Sequence, residues 1–355
     1  MNRPIHGGNL AWAASLAGCP PSLILDFSAS INPLGPPRTA LKAIQRGLKA
    51  LTAYPDPDYS NLCSTLAKWH KLPPEWILPG NGSAELLTWA GWELSQKLVK
   101  LPTPAFRDYL RVLRTFGGTV QQCPMDLLSN NLSWFVDKGE GAKNQGLLLN
   151  NPHNPTGKLL AQEAILPYLD KFDLVVVDEA FMDFLPPQEQ QSLIPVVQDY
   201  PNLVILRSLT KFYSLPGLRL GYAIAHPDRL RRWQKWRDPW PVNVLAAAAG
   251  EAVVEDQEFQ RQTWDWLLPA RYQLFEGLGA LPGLQPLPGA ANFLLVETEQ
   301  PSSQLQEKLL KNQRILIRDC LSFPELGDRY FRVAVRTQED NQRLLEGLTV
   351  ILLRD

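Results

Sequence analysis

The sequence of residues 203–222 is LVILRSLTKFYSLPGLRLGY. Four apolar residues are followed by a polar stretch that contains Lys211, and a second apolar run begins at Leu220. Near-continuous apolar runs of this length are typical of strands that are buried on both faces. This segment therefore predicts two buried strands that are joined by a loop carrying a lysine.

Two runs of the same kind lie nearer the N-terminus. Residues 146–150 are GLLLN and residues 174–178 are LVVVD, and helix-like stretches separate the runs. This alternation predicts an α/β fold with a mostly parallel central sheet and helices on both faces. In such sheets ligands bind beyond the carboxyl ends of the strands, which is where the polar residues of these segments fall.

The pattern changes after about Trp240. A long helical stretch, which Pro269 is expected to break or kink, leads to short apolar runs that predict a smaller α/β domain with antiparallel strands. We therefore expect residues 36–240 to form a large domain and residues 241–355 to form a small C-terminal domain. Residues 1–35 are too few for a domain and are expected to be an arm that packs on the small domain.

The composition argues against several classes of protein. The 355 residues include 35 Lys plus Arg and 36 Asp plus Glu, a net charge of -1, so no large field of one sign favours nucleic acid or an anionic membrane. No segment reaches the roughly 20 apolar residues of a membrane helix. The four histidines and four cysteines lack metal-ligand spacing, and scattered cysteines fit a reducing compartment. We expect a cytoplasmic protein without a metal site.

One N-terminal motif suggests a different location. Residues 16–19, LAGC, resemble a lipoprotein cleavage box, with Arg3 ahead of them. The apolar stretch from Leu10 is short for the apolar region of a signal peptide and contains Ser15. A short amphipathic helix within an N-terminal arm is the preferred interpretation.

Polar side chains follow two of the predicted strands. Residues 150–157, NNPHNPTG, contain X-Pro pairs and a terminal glycine, which predict a rigid turn that holds Asn154 over the edge of the sheet. Asp178 ends the next strand, where a partly desolvated carboxylate needs a cationic partner. Each feature alone is also compatible with an ordinary loop or a helix N-cap.

A third group of polar residues surrounds Lys211. A lysine just past a strand end, among small and apolar residues, loses its charge more readily than a surface lysine and is suited to form an imine with an aldehyde. Ser208 and Arg219 supply a hydroxyl and a guanidinium, which are groups that bind a phosphate monoester. Residues 80–85, GNGSAE, open an apolar helix whose backbone N–H groups suit the same phosphate.

In combination these residues predict a pyridoxal 5'-phosphate site. Lys211 would bind the aldehyde, and Asp178 would keep the ring nitrogen protonated so that the ring can accept electrons from the substrate's α-carbon. Asn154 would face the phenolic oxygen. The arrangement resembles the fold-type I aminotransferase superfamily, and the match runs across nearly the whole chain.

Further motifs give a narrower resemblance. They are residues 6–9 (HGGN), 26–35 (DFSASINPLG), 54–59 (YPDPDY), 206–213 (LRSLTKFY) and 314–318 (RILIR). On these motifs the chain resembles the threonine-phosphate decarboxylases of cobalamin biosynthesis, which are similar to histidinol-phosphate aminotransferases in fold and most cofactor contacts. The HGGN arm is the most telling motif because it belongs to substrate handling.

The resemblance implies a role for each matching residue. The cofactor ring would be held by Lys211, Asp178 and Asn154, with Phe106 stacked on it. The cofactor phosphate would be bound by Ser208, Arg219, the backbone of Gly82, Ser83 and Ala84, and Tyr54 of a partner subunit. The phosphate and carboxylate of the substrate would be bound by His6, Gly7, Ser30, Asn154, Arg318 and Arg332. A site shared across subunits implies a homodimer.

Two positions depart from the related families. Ser30 stands where the decarboxylases typically carry asparagine, so one substrate contact is expected to be weaker or bridged by water. Phe181 stands where histidinol-phosphate aminotransferases usually carry a tyrosine, and it cannot hydrogen-bond the phenolic oxygen of the cofactor. The second departure favours decarboxylation.

The sequence therefore predicts an enzyme that converts O-phospho-L-threonine to (R)-1-amino-2-propanol O-2-phosphate and carbon dioxide. A histidinol-phosphate-type aminotransferase is the main alternative. A cofactor-bound protein without catalytic activity is a third possibility, although no DNA-reading module is apparent. Arg318 and Arg332 favour an enzyme that acts on a phosphorylated substrate, since each is expected at a strand end among apolar neighbours.

Overall fold

The structure is a computed structural model that describes residues 3–127 and 144–353. Its helices are α1 (Leu10–Ala17), α2 (Arg38–Gly47), α3 (Ser60–His70), α4 (Ser83–Leu94), α5 (Arg107–Thr115), α6 (Gln162–Leu169), α7 (Leu209–Phe212), α8 (Pro227–Trp236), α9 (Val244–Val254), α10 (Gln257–Gly279), α11 (Ser302–Gln313) and α12 (Gln338–Leu352). Its strands are β1 (Leu25–Asp26), β2 (Ile77–Asn81), β3 (Leu98–Thr103), β4 (Thr119–Pro124), β5 (Gln145–Asn150), β6 (Leu174–Asp178), β7 (Leu203–Ser208), β8 (Leu220–Ala225), β9 (Leu284–Pro286), β10 (Phe293–Thr298), β11 (Ile315–Leu316), β12 (Arg318–Asp319) and β13 (Tyr330–Ala334).

The larger sheet has seven strands in the order β2-β8-β7-β6-β5-β3-β4. Strands β3 to β7 run parallel, whereas β8 is antiparallel to both β7 and β2. The predicted fold class, with a mostly parallel central sheet, is confirmed. The apolar runs of β6, β7 and β8 are buried along their whole length because helices cover both faces of the sheet.

Strand β8 differs from the other predicted apolar runs in its direction. Only residues 209–219 connect β7 to β8, and a parallel crossover needs about a dozen residues or more, most of them in a helix. The chain therefore turns back, and Ser208 pairs with Gly221. This register places Arg219 at the same edge of the sheet as the end of β7, which is the edge where the site forms.

A second sheet is entirely antiparallel, in the order β12-β13-β10-β9. The antiparallel strands that the sequence predicted for the C-terminal part are present. Pro269 lies inside α10, which continues unbroken from Gln257 to Gly279, so the predicted break is wrong. Pro269 is exposed, and burial of Leu267, Ala270 and Leu274 on the opposite face compensates for the one backbone hydrogen bond that proline cannot make.

The N-terminal residues fold against the C-terminal part of the chain. Strand β1 pairs in parallel with β11, and α1 packs on α11. Helix α9 packs on α2 and α3, beside the larger sheet. The domain division at residue 240 stays a prediction. No described helix is both long enough and apolar enough to cross a membrane.

Candidate active site

A cavity of about 480 Å³ opens at the edge where β5, β6 and β7 end. This volume is within the range of roughly 300–1,000 Å³ that is usual for small-molecule sites. Most of the residues predicted from the sequence line it: His6, Gly7, Ser30, Ser83, Ala84, Phe106, Asn154, Asp178, Ser208, Lys211, Arg219, Arg318 and Arg332. Gly82 adjoins this lining, and Tyr54 lies outside it.

Lys211 lies in α7, three residues beyond the end of β7. Its Nζ donates a hydrogen bond of 3.1 Å to Thr210 Oγ1, and its ammonium faces the ring of Phe181 at 5.9 Å from the centroid. Burial lowers the pKa of Lys211 to about 8, and the negative charge of Asp178 opposes this shift. An amine with this pKa is about one-tenth neutral at pH 7, far more than an ordinary lysine, so it can act as a nucleophile and can also carry a proton.

Asp178 is buried at the end of β6. Its carboxylate accepts hydrogen bonds from Tyr109 Oη at 2.8 Å and from the Ala180 backbone N at 3.0 Å. Burial raises the pKa of Asp178, and these hydrogen bonds and Lys211 only partly oppose that shift. Among the described residues Asp178 has no ion-pair partner within salt-bridge distance, so a cationic ligand would stabilise its ionised form.

A cluster of polar donors lies between β7 and the start of α4. Helix α4 begins at Ser83, so its first N–H groups have no partner within the helix. Ser208 Oγ lies 2.7 Å from Thr210 Oγ1, and Arg219 reaches the same region. Gly82 adopts a φ of +73°, and a Cβ there would lie 2.5 Å from Arg219 Nη2. The backbone conformation therefore favours glycine at this position, and its lack of a side chain leaves room for the guanidinium beside the helix N-terminus.

The cavity lining also carries two arginines from neighbouring strands. Arg332 pairs with Arg318 across β12 and β13, which brings the two guanidinium groups to one wall. Arg332 Nη1 donates to Asn154 Oδ1 at 2.5 Å, and its Cζ lies 4.8 Å from the centroid of the Phe293 ring. Burial and the charge of Arg318 lower the pKa of Arg332 to about 10.

The sequence prediction for Arg332 needs one correction. The residue lies in the middle of β13 and not at a strand end; Arg318 does lie at the start of β12. The side chain reaches the cavity because it shares a face with its cross-strand partner. Its Nε atom and the hydroxyl of Ser30 are buried without a hydrogen-bond partner among the described residues. Both groups are available to a bound ligand.

His6 belongs to the N-terminal arm and lies near Phe106 in the cavity lining. The centroids of the two rings are 5.7 Å apart, and His6 Nε2 lies 3.8 Å from Asp108 Oδ2. Burial lowers the pKa of His6, and nearby Arg318 adds to the shift while Asp108 opposes it.

Several residues of the site were not found from the sequence. They are Tyr109, Thr210, Arg107 and Ser322, all of which line the cavity. Tyr109 follows Phe106 by three residues and lies in the first turn of the helix that Phe106 precedes, so the sequence did hold a signal for it. Arg107 is exposed and its charge acts on both His6 and Arg318.

Tyr54 is separate from the cavity in a single chain. It is 77% exposed and stacks on Trp240 with ring centroids 4.3 Å apart. Its predicted role through a partner subunit stays a prediction.

The pKa of Lys211 predicts a distinctive reactivity. In cofactor-free protein, an amine-selective acylating reagent should label Lys211 with a midpoint near pH 8. The neutral amine reacts, so labelling should slow about tenfold for each pH unit below that midpoint. Peptide mass spectrometry across pH 6–10 measures the rate, and a Lys211→Ala variant identifies the signal. A midpoint above pH 10 would contradict the effect of burial.

Comparison with known proteins places this site in a family. Residues 23–348 match the model of aminotransferase class I and II, and the chain belongs to that family. It is 38% identical to the threonine-phosphate decarboxylase of Salmonella typhimurium, over 98% of this chain and 96% of that protein. It is 36% identical to a histidinol-phosphate aminotransferase of Symbiobacterium thermophilum, over 93% of this chain and 91% of that protein.

A solved structure shows the same relationship. The L-threonine-O-3-phosphate decarboxylase of Porphyromonas gingivalis superposes with a TM-score of 0.83 at 25% identity, and the match covers 93% of this chain and all of that one. The resemblance to threonine-phosphate decarboxylases that the motifs suggested is thus confirmed over nearly the full length.

The cofactor predicted from the sequence is confirmed, since enzymes of this family use pyridoxal 5'-phosphate. The described residues fit that group on chemical grounds. They offer a desolvated amine of lowered pKa, a buried carboxylate without an ion pair at salt-bridge distance among the described residues, and a cluster of anion-binding donors around one cavity. These three elements match an aldehyde, a ring nitrogen that can carry a proton, and a phosphate.

Proposed function

We propose that this chain is a threonine-phosphate decarboxylase, which converts O-phospho-L-threonine to (R)-1-amino-2-propanol O-2-phosphate and carbon dioxide. The observation that carries the proposal is one cavity that holds both Lys211 and a cationic wall, in which Arg318 and Arg332 carry the charge and His6 adds an imidazole. Full-length similarity to a protein of that name supports it. A place in cobalamin biosynthesis is proposed on the same similarity.

The proposal assigns the cofactor to the residues between β6, β7 and α4. Lys211, Asp178 and Asn154 would hold the aldehyde, ring nitrogen and phenolic oxygen, and Phe106 would cover the ring. The phosphate would be bound by Ser208, Arg219 and the backbone of residues 82–84. Pyridoxal 5'-phosphate, when bound, supplies a ring that accepts the electron pair left at the substrate's α-carbon.

The cationic wall would recognise the two anionic groups of the substrate. Phosphate and carboxylate groups are bound best by guanidinium forks, and Arg332 Nε lacks a partner among the described residues. Ser30 Oγ is unpartnered in the same way and can donate to a phosphate or carboxylate oxygen. With both anionic ends fixed, the carboxylate can be held in one orientation relative to the reacting bond.

The reaction breaks the bond between the α-carbon and the carboxylate carbon. Carbon dioxide leaves without the bonding electrons, and one proton must then be added to the α-carbon. Lys211 has a pKa of about 8 and an Nζ held by Thr210, so it can carry that proton at neutral pH. Phe181 adds no hydroxyl to the same surface, although its ring faces the Lys211 amine.

The main alternative is a histidinol-phosphate-type aminotransferase, which similarity to the Symbiobacterium protein supports. Incubating the purified holoenzyme with O-phospho-L-threonine, with and without a 2-oxo acid, separates the two. We expect carbon dioxide release over many turnovers without the 2-oxo acid. Product formation that depends on the 2-oxo acid, without gas, would identify an aminotransferase. A coloured holoprotein that is inert towards both substrates would indicate a binding protein.

An Arg332→Ala variant tests the cationic wall. Loss of a charge-assisted contact to a substrate anion should raise KM for phosphothreonine about tenfold to a hundredfold. The absorbance of bound cofactor should remain, since Arg332 belongs to the cationic wall that is proposed to bind the substrate. Arg332→Lys keeps the charge but not the fork and should be intermediate. A colourless Arg332→Ala protein would instead place this residue in the cofactor site.

We also propose a homodimer and a cytoplasmic location. Four large apolar side chains between residues 41 and 54 are exposed: Leu41, Leu48, Leu51 and Tyr54. Trp240, which stacks on Tyr54, is exposed as well. A partner subunit would cover this apolar surface. In that dimer Tyr54 would reach the cofactor phosphate of the partner. The four free cysteines are compatible with a reducing compartment.

A further inference from the structure

The N-terminal arm is fixed at its first described residue by a dense set of contacts. Arg3 Nη1 donates to Asp319 Oδ2 at 2.9 Å and to Gln306 Oε1 at 2.7 Å, and Arg3 Nη2 donates to the carbonyl of Ser303 at 3.0 Å. The side chains of Asp319 and Gln306 are buried. One guanidinium thus joins the arm to both β12 and α11.

Residues 5–7 then line the cavity. Arg318 Nη1 donates to the carbonyl of Pro4 at 3.2 Å, and Arg318 Nη2 donates to the carbonyl of Ile5. The Gly8 backbone N donates to Ser28 Oγ at 2.8 Å, and a Cβ at Gly7 would lie 2.1 Å from the Ser28 carbonyl oxygen. The arm is therefore held at both ends, with His6 between them.

Asp319 links the arm to Arg318 of the cationic wall. Its Oδ2 binds Arg3, and its Oδ1 lies 3.6 Å from Arg318 Nη1. If Arg3 is removed, the buried Asp319 keeps Arg318 as its nearest described cation, and we expect the two to draw closer. The carbonyls of Pro4 and Ile5 would then be free to leave, and they carry His6 with them.

We propose that Arg3 is a positioning residue for the substrate site: by binding Asp319, Gln306 and Ser303 it keeps His6 over the cavity and leaves Arg318 oriented for the substrate's anionic group. This inference rests on the proposed function, because it takes Arg318 and His6 to be substrate-binding residues. Arg3 itself is absent from the cavity lining. Its effect is therefore on binding, through the arm and Arg318.

Steady-state kinetics of the holoenzyme on O-phospho-L-threonine test the proposal. Arg3→Ala should raise KM about tenfold and change kcat less than threefold, since Arg3 touches neither Lys211 nor Asp178. Arg3→Lys keeps the charge that pairs with Asp319, but its ammonium group lacks the planar fork with which arginine reaches three acceptors. Its KM should therefore lie between those of the parent and Arg3→Ala. Arg329→Ala is the matched control. Arg329 forms an exposed ion pair of 2.7 Å with Glu297 and should leave KM unchanged.

Amide hydrogen exchange supplies a readout that needs no turnover. For the peptide covering residues 3–9, Arg3→Ala should exchange about tenfold faster than the parent and Arg329→Ala should not. Adding inorganic phosphate should slow exchange of this peptide in the parent protein more than in Arg3→Ala, because His6 and Arg318 are expected to keep their positions in the anion site only in the parent.

The outcomes separate this proposal from the proposed function. An unchanged KM in Arg3→Ala, or a raised KM with unchanged exchange of residues 3–9, would overturn the positioning role. If the parent enzyme releases no carbon dioxide, the proposed function fails. The exchange and phosphate measurements then still decide whether Arg3 fixes the arm over an anion site.

Discussion

A Lys211→Ala variant is expected to lose at least about 10⁴-fold in kcat for carbon dioxide release from phosphothreonine. Among the described residues, one lysine lines the cavity, and it is Lys211. Its pKa of about 8 suits both nucleophilic attack and proton transfer. Alanine removes the amine and leaves Thr210 and Asp178 in place. Steady-state assays at saturating substrate and cofactor measure the loss.

Three comparisons distinguish this loss from misfolding. The variant should keep the thermal stability of the cofactor-free parent, because the half-buried Lys211 forms no ion pair at salt-bridge distance with another described residue. It should still bind the cofactor noncovalently through the phosphate donors. Lys171→Ala, which removes a lysine that lies over the Tyr168 ring, should retain full activity. Full activity in Lys211→Ala would refute the assignment of the nucleophile.

The sheet could be predicted closely where one property dominated. Strand β6 has the predicted bounds and β8 begins at the predicted Leu220, because each is a continuous apolar run buried on both faces. The direction of β8 was missed because burial does not depend on strand direction; the short connection decided it. The expected break at Pro269 was wrong because a local rule was applied to a helix whose buried face outweighs one lost hydrogen bond.

The site was predicted where chemistry and strand ends coincide. Asp178, Ser208 and Lys211 lie at or just beyond the ends of apolar runs, and such runs can be recognised from the sequence alone. Arg332 and Arg318 were found through family resemblance, and their meeting depends on a cross-strand register that no spacing in the sequence reveals. The contacts of Arg3 bridge about 300 positions of sequence separation, so only the folded chain shows them.

An Asp178→Asn variant is expected to lower kcat about 10³-fold, the second largest effect. Asparagine keeps the shape and can accept from the Ala180 N–H, but it has no charge to hold a proton on the ring nitrogen of the cofactor. Tyr109→Phe is the graded comparison. It removes one hydrogen bond to the carboxylate and keeps the charge, so its kcat should fall only about tenfold.

The Asp178→Asn substitution should stabilise the cofactor-free protein at neutral pH. Burial raises the folded pKa of Asp178 above its unfolded value, so folding favours the protonated form, and the ionised carboxylate destabilises the fold once the pH exceeds the unfolded pKa. Asparagine removes that penalty, and the Tyr109 hydroxyl can accept from its amide. Thermal unfolding of the cofactor-free proteins should therefore give a higher Tm for Asp178→Asn at pH 7.5, and the difference should shrink as the pH is lowered towards 4.

If Asp178 serves catalysis at the expense of the fold, its substitution should raise stability and lower activity. Substitution of a residue that stabilised the fold would lower both. A lower Tm for Asp178→Asn together with nearly full activity would show that Asp178 serves the fold. The cationic partner it needs would then not be the cofactor.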